Sequence, residues 1–252
     1  MPRVDVQLSR RAWFGVAGAT AAAAALSACG SPTTTTATTT VTLPAEPPIA
    51  TESPRPNISD AELGLTELKQ GNLRFVEARM MHPDQSPETR LSVSKSQSPF
   101  AIVLSCSDSR LPPEVIFDQG LGDLFVVRVA GNIVDPAGMG SIEYAVGHLG
   151  TPLIVALGHQ NCGAVSATIK ARQPPFEEPH GAVASLITAI TPAVEVAEKQ
   201  PGDLLINAIK ANIDQSRDQI LQNKELKSAL DSGKLKVVTG YYSLDDGTVS
   251  LT

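Results

Sequence analysis

The chain has 252 residues, of which 42% are hydrophobic and 18% charged, and its formal net charge is −6 at pH 7. Residues 1–28 contain three Arg and one Asp, so the remainder carries a net charge of −8. An acidic balance of this kind gives no sign of the basic surface on which binding to nucleic acid depends. We therefore expect no nucleic-acid partner.

The amino-terminal segment has the features of an export signal. The sequence S-R-R-A-W-F at residues 9–14 is followed by a short, apolar, Ala-rich run, as in a signal with a charged n-region and an apolar h-region. The paired Arg10 and Arg11 favour the twin-arginine route, although Trp13 stands where such signals more often have Phe. A transmembrane anchor is the alternative, but the run is shorter than the roughly 20 residues that span a bilayer. Residues 1–28 are therefore predicted to be a signal peptide.

The signal is followed by a predicted lipid anchor and a tether. Residues 26–29, L-S-A-C, resemble a bacterial lipobox, in which the Cys, here Cys29, is lipidated and becomes the first residue after cleavage. Residues 30–57 contain nine Thr and six Pro, a composition that builds no core and stays extended or disordered. Residues 29–57 are therefore predicted to tether an exported domain to the outer face of the cytoplasmic membrane or to the cell wall.

Residues 58–252 are long enough for one hydrophobic core. Helical periodicity is present at Leu65, Leu68 and Phe75, and again across residues 204–221. Short apolar runs typical of buried strands occur at residues 100–104, 124–129, 152–157 and 235–238. The alternation of the two patterns predicts an α/β fold with a mainly parallel central β-sheet flanked by helices.

Three candidate metal ligands follow two of these strand-like runs. Cys106 lies in S-C-S-D-S-R after the first run, and His159 and Cys162 lie in G-H-Q-N-C-G after the third. The carboxyl ends of parallel strands meet at one edge of a sheet, where α/β proteins place their sites. Cys162 also opens a helical stretch, whose positive end favours the thiolate. Because the only other Cys is in the lipobox, the pattern predicts zinc with one coordination position left for water or substrate.

The two motifs and their spacing resemble the β-class carbonic anhydrases. The similarity runs from about Ser59 to the end of the chain, and it includes the segments G-N-L-R-F from Gly71, I-F-D-Q-G-L-G-D-L-F-V-V-R-V-A-G-N from Ile116, S-I-E-Y-A-V from Ser141 and G-Y-Y-S-L-D-D-G-T-V from Gly240. The resemblance implies the β-carbonic anhydrase fold for residues 58–252, with one Zn²⁺ per chain held by Cys106, His159 and Cys162. It also implies reversible hydration of carbon dioxide to bicarbonate and a proton.

The resemblance further assigns the neighbours of the ligands. Asp108 either takes the fourth zinc position or turns away to pair with Arg110, whose guanidinium can hold a carboxylate through two hydrogen bonds. In the family this pair orients the hydroxide on zinc. Gln97 is in the position of a Gln that helps to bind bicarbonate, and Phe125 and Gly163 fall in the substrate pocket. Both arrangements of Asp108 remain open, with the Arg-paired one favoured.

One position departs from a regulated subset of the family. Members that bind bicarbonate at a separate inhibitory site carry a Trp three residues before the first Cys, where this chain has Val103, although Arg128, another component, is present. We therefore expect no inhibitory bicarbonate site. Because two thiolates neutralise the formal charge of zinc, we also expect activity that rises toward alkaline pH.

The resemblance implies a homodimer or dimer of dimers, with the first helix reaching over a partner subunit. An alternative enzyme uses the same fold and ligands on carbon disulfide or a similar substrate. A non-catalytic, zinc-binding envelope lipoprotein is a second alternative, which the retention of Asp108 and Arg110 disfavours. A disulfide between Cys106 and Cys162 is compatible with an exported protein, but it leaves His159 and its neighbours unexplained.

Overall fold

The computed structural model describes residues 58, 60–176 and 179–252. The predicted signal peptide, Cys29 and the tether lie outside these residues and stay predictions. The helices are α1 (Ala61–Val76), α2 (Pro87–Ser92), α3 (Pro113–Ile116), α4 (Pro136–Leu149), α5 (Gly163–Ala171), α6 (Val183–Ala197), α7 (Leu204–Leu221) and α8 (Lys227–Asp231). The strands are β1 (Ala101–Ser105), β2 (Leu124–Arg128), β3 (Leu153–His159), β4 (Lys236–Tyr242) and β5 (Val249–Leu251). In the part of the chain described, no helix combines the length and the apolar character needed to cross a bilayer.

The strands form one five-stranded sheet in the order β2-β1-β3-β4-β5. The first four are mutually parallel, and β5 runs antiparallel to β4. Strands β1 and β3 are buried along their whole length, as their continuous apolar sequences require in the centre of a parallel sheet. The predicted α/β fold with a mainly parallel sheet and flanking helices is confirmed.

Strands β3 and β4 extend well beyond the apolar runs that predicted them. The pairing of β3 with β4 continues through Gly158 and Tyr241 to His159 and Tyr242. The backbone ladder does not depend on apolar side chains, so it passes the point at which the sequence pattern ends. His159 is therefore the last residue of β3 and is fixed by strand pairing, whereas the sequence pattern placed it after the strand.

Helices cover both faces of the sheet because neighbouring residues of a strand point to opposite sides. Val103 and Val155 belong to a core cluster that includes residues of α1, α5, α6 and α7. Ile102 and Ile154 belong to a second cluster that includes residues of α4, α8 and the carboxyl-terminal end of α7. Both cysteines of the predicted metal site belong to the first cluster.

Helix α1 is attached to the end of the chain through a buried side chain. The Asn72 amide donates hydrogen bonds to the carbonyl oxygens of Ile116 and Gly247 at 3.0 and 2.9 Å. Its oxygen accepts the N–H of Val249 at 2.8 Å. Because the turn between β4 and β5 is fixed to α1 in this way, it offers a rigid support to the segments that touch it.

Candidate metal centre

The three predicted ligands come together at the carboxyl edge of β1 and β3. Cys106 follows β1, His159 ends the adjacent parallel strand β3, and Cys162 is the N-cap residue of α5. Their ligand atoms all lie within 4.8 Å of one another, and all three residues are buried. Strand pairing and the start of α5 therefore bring together Cys106, His159 and Cys162, although Cys106 and Cys162 are 56 positions apart along the chain.

The His159 ring is oriented as a metal ligand. Its Nδ1 lies 2.8 Å from the carbonyl oxygen of Gln160, which fixes the proton on Nδ1 and leaves the lone pair on Nε2. Nε2 is buried and has no hydrogen-bond partner. An unpaired buried polar atom is costly, and a cation placed between the imidazole and the two sulfurs would remove that cost. The donor set of two thiolates and one imidazole fits zinc with an open fourth position.

The two cysteines are free, buried and close to each other. Hydrogen bonding with Cys162 lowers the pKa of the Cys106 thiol, and the Gly131 N–H, 3.2 Å from its sulfur, acts in the same direction. The same contact with Cys106, together with burial, raises the pKa of Cys162. A metal takes its cysteine ligands as thiolates, so a cation bound here would release protons from this pair.

Asp108 stands beside the cluster and is held by Arg110. The guanidinium donates from Nε to Oδ1 at 2.9 Å and from its terminal nitrogen to Oδ2 at 2.8 Å, and the Arg110 backbone N–H adds a bond of 2.9 Å to Oδ1. These bonds from Arg110 lower the pKa of the Asp108 carboxyl well below its usual range. Oδ2 also lies 3.8 Å from Nε2 of His159, so an ionised carboxylate borders the metal position.

Arg128 braces the loop between Cys106 and Asp108. It is the residue of β2 that pairs with Ser105, at the end of β1. Its side chain donates to the carbonyl oxygen of Cys106 at 3.1 Å and to that of Asp108 at 2.5 Å. In the sequence Arg128 suggested only part of an inhibitory site. The structure shows that it holds the backbone of the candidate ligand Cys106 and of Asp108.

A second support was not predicted and comes from α7. Asn212 donates to the carbonyl oxygen of Gly131 at 2.6 Å, and Ser216 donates to that of Asn132 at 2.8 Å. The Gly131 N–H is the group that meets the Cys106 sulfur. The sequence offered one signal for this contact, which is that Asn212 and Ser216 interrupt the otherwise apolar buried face of α7.

The remaining predicted residues occupy different places. Gln97 is exposed in the segment before β1. Phe125 packs toward Tyr144 and the core cluster on the sheet face opposite to Cys106, so the structure does not bring it to this chain's own cluster. Gly163 is exposed next to Cys162, and an added Cβ there would meet nothing within 4 Å. Val103 is fully buried in β1.

Comparison with known proteins agrees with this geometry. The carbonic anhydrase family model matches residues 101–249. A carbonic anhydrase of Mycolicibacterium smegmatis is 41% identical over 185 residues, covering 73% of this chain and 89% of that protein, and carbonic anhydrase 2 of Mycobacterium tuberculosis is 39% identical with the same coverage. A crystal structure from a study of two tetrameric β-carbonic anhydrases of Sordaria macrospora has the same fold, with a TM-score of 0.59 and 22% sequence identity. The match covers 72% of this chain and 93% of that chain. The chain therefore belongs to the carbonic anhydrase family, as an enzyme of the β class.

Proposed function

We propose that this carbonic anhydrase holds one zinc ion through Cys106, His159 and Cys162 and catalyses the reversible hydration of carbon dioxide to bicarbonate and a proton. The observation that carries the proposal is the buried Nε2 of His159, which faces two cysteine sulfurs and has no hydrogen-bond partner. Zinc held by these three residues would lower the pKa of water and so provide the nucleophile for the reaction.

The side chains beside the ligands then have distinct tasks. Asp108 stays ionised because Arg110 lowers its pKa, so it only accepts hydrogen bonds. It can therefore orient the O–H bond of the attacking water without donating a proton. Arg110 keeps the carboxylate paired and away from the metal position, which supports the open resting arrangement. The exposed side of Asp108 and the open space at Gly163 provide a route for substrate and bicarbonate.

A second subunit is part of the proposal. Because Phe125 faces away from its own chain's cluster, a role in a substrate pocket requires the site of a partner. Strand β2 lies at the edge of the sheet, and α1 exposes Leu63 and Leu73. These features favour a homodimer or dimer of dimers, and the tetrameric relative is consistent with it.

The proposed place of action is the cell envelope. The export signal, the lipobox Cys29 and the Thr- and Pro-rich tether support a lipid-anchored enzyme outside the cytoplasmic membrane. In that position it would exchange carbon dioxide and bicarbonate where gas enters or leaves the cell.

Metal content and activity of three matched Cys→Ser variants test the function. The parent should contain about one zinc per chain and hydrate carbon dioxide. Cys106→Ser and Cys162→Ser should lose zinc and activity together, whereas Cys29→Ser should keep both. Full zinc retention in either ligand variant would contradict the assignment, and a zinc-loaded parent without hydration activity would contradict the function.

A further inference from the structure

Gln160 occupies the turn between two of the three metal ligands, His159 and Cys162, and is tied to the carboxyl-terminal hairpin. Its backbone N–H donates to the carbonyl oxygen of Tyr242 at 2.9 Å. Its side-chain oxygen accepts the N–H groups of Leu244 and Asp245 at 2.9 and 3.2 Å. Its side-chain nitrogen donates to Oδ2 of Asp245 at 2.7 Å. Backbone and side chain of one residue are thus both held by the hairpin.

The carbonyl group of the same residue orients the ligand before it. The Gln160 oxygen lies 2.8 Å from Nδ1 of His159. A hydrogen bond at this nitrogen sets the tautomer and the ring orientation, and such bonds to metal-ligating histidines contribute strongly to metal affinity. Because the hairpin contacts fix the backbone of residue 160, they also fix the direction of this carbonyl.

The hairpin that holds Gln160 is itself rigid. Within its turn the Ser243 N–H donates to Thr248 at 2.9 Å, and the Gly247 N–H donates to Ser243 at 3.0 Å. Asn72 of α1 bonds both Gly247 and Val249. If the Gln160 side chain moved or were removed, the turn would therefore stay in place. The segment from His159 to Cys162 would then lose its attachment to the hairpin.

We propose that Gln160 is a positioning residue, which holds the ligand turn against the hairpin and thereby raises the affinity of His159 for the metal. The proposal rests on the proposed zinc function. It assigns the exposed Asp245, more than eighty residues further along the chain, an indirect part in metal binding. A purely structural role would instead stabilise the hairpin and leave metal affinity unchanged.

The zinc dissociation constant of the full chain, measured by competition with a chelator, separates these roles. Gln160→Ala should bind zinc about tenfold more weakly than the parent, the low end of the range for lost second-shell contacts. Gln215→Ala is the matched control, since Gln215 is also half-buried and donates to a backbone carbonyl, that of Ala189, at 2.8 Å. This control should leave the zinc dissociation constant at the parent value.

A double variant provides the rescue. Gln160→Glu alone removes the donor and sets two carboxylates against each other, so it should weaken zinc binding as Gln160→Ala does. Adding Asp245→Asn restores the hydrogen bond in the reverse direction, since the new amide at position 245 donates to the carboxylate at position 160. Zinc affinity should then return to the parent value. Parent-like affinity in Gln160→Ala, or weakening that the double variant does not reverse, would overturn the positioning role alone. A parent that binds no zinc would overturn the proposed function as well.

Discussion

Arg110 holds the carboxylate of Asp108 through two parallel N–H···O bonds of 2.9 and 2.8 Å. The carboxylate is mostly buried, with 17% of the side chain exposed, and lies 3.8 Å from Nε2 of His159. Without Arg110, an anion in this position would have a divalent cation as its best partner. In the proposed function, we therefore expect the pair to act as a gate that would keep one coordination position of a bound zinc ion free.

The gate predicts an inactive but zinc-loaded Arg110→Ala variant. Zinc content should stay near the parent value, while carbon dioxide hydration falls by about a hundredfold, as for loss of other preorganised polar groups. X-ray absorption at the zinc edge should show a carboxylate oxygen in the fourth position. Arg110→Lys, which keeps the charge but lacks the planar fork, should lie between parent and Ala variant. Water on zinc in Arg110→Ala, at a pH where the parent is active, would refute the gate.

Asp118 should make stability depend on pH. Its carboxylate is buried and accepts a hydrogen bond from the Arg74 guanidinium at 2.6 Å. It also accepts hydrogen bonds from the N–H groups of Met81 and His82, both at 3.0 Å. Burial alone would raise its pKa, but these donors outweigh burial and lower it. Asp118→Asn should therefore reduce the free energy of unfolding by about 3 kcal/mol at neutral pH.

The sign of the pH dependence follows from the lowered pKa. The stabilisation by Asp118 is complete above the unfolded-state pKa of about 3.9 and is lost as pH falls through the folded-state value. The gap between parent and Asp118→Asn in urea unfolding, with chelator in both samples, should narrow below about pH 4. Asp214→Asn, which removes an exposed pair with Arg217, should cost at most about 1 kcal/mol. A gap that is constant from neutral to acid pH would contradict the role of the Asp118 charge.

Two helical glycines should respond oppositely to Ala. A Cβ on Gly71 of α1 would lie 1.8 Å from the carbonyl oxygen of Phe117, so Gly71→Ala must separate α1 from the loop after α3. We expect a loss of about 3 kcal/mol in unfolding free energy. A Cβ on Gly140 of α4 would meet nothing within 4 Å, and Gly140→Ala should add about 0.5–1 kcal/mol through helix propensity. Thermal unfolding that shifts in the same direction for both variants would contradict the packing of α1.

The amino terminus predicts separable effects on export and anchoring. Cys29→Ala should abolish lipid labelling and membrane association without changing hydration activity. Arg10→Lys combined with Arg11→Lys should block export, whereas Arg3→Lys, outside the pair, should not. Cell fractionation with activity assays measures all three. Normal export of the double variant would show that the twin-arginine interpretation is wrong.

Local patterns in the sequence predicted the four parallel strands and the candidate ligands beside them, but not β5. Buried parallel strands carry continuous apolar runs, and the candidate ligands lie at or next to strand ends, so the sequence alone places Cys106 and His159 at one edge of the sheet. The contact between Asp108 and Arg110 could also be predicted from the sequence, because the two residues lie close together in one loop.

Contacts between distant segments of the chain could not be predicted from local sequence patterns. Nothing local shows that Gln160 meets Asp245, or that Asn212 holds the carbonyl of Gly131 beside a ligand sulfur. The face on which Phe125 lies depends on the register of β2 against β1, and a shift of one residue would reverse it. These features follow from tertiary packing, which one sequence read by its periodicity does not specify.

Stopped-flow hydration of carbon dioxide, by the zinc-loaded parent and by Asp108→Ala at the same zinc content, tests the central claim most directly. The account predicts rapid hydration by the parent and a loss of about a hundredfold or more in the variant, with zinc unchanged, because only the orientation of the attacking water is lost. A zinc-loaded parent that hydrates carbon dioxide no faster than buffer, or an Asp108→Ala variant with the parent's rate, would contradict it.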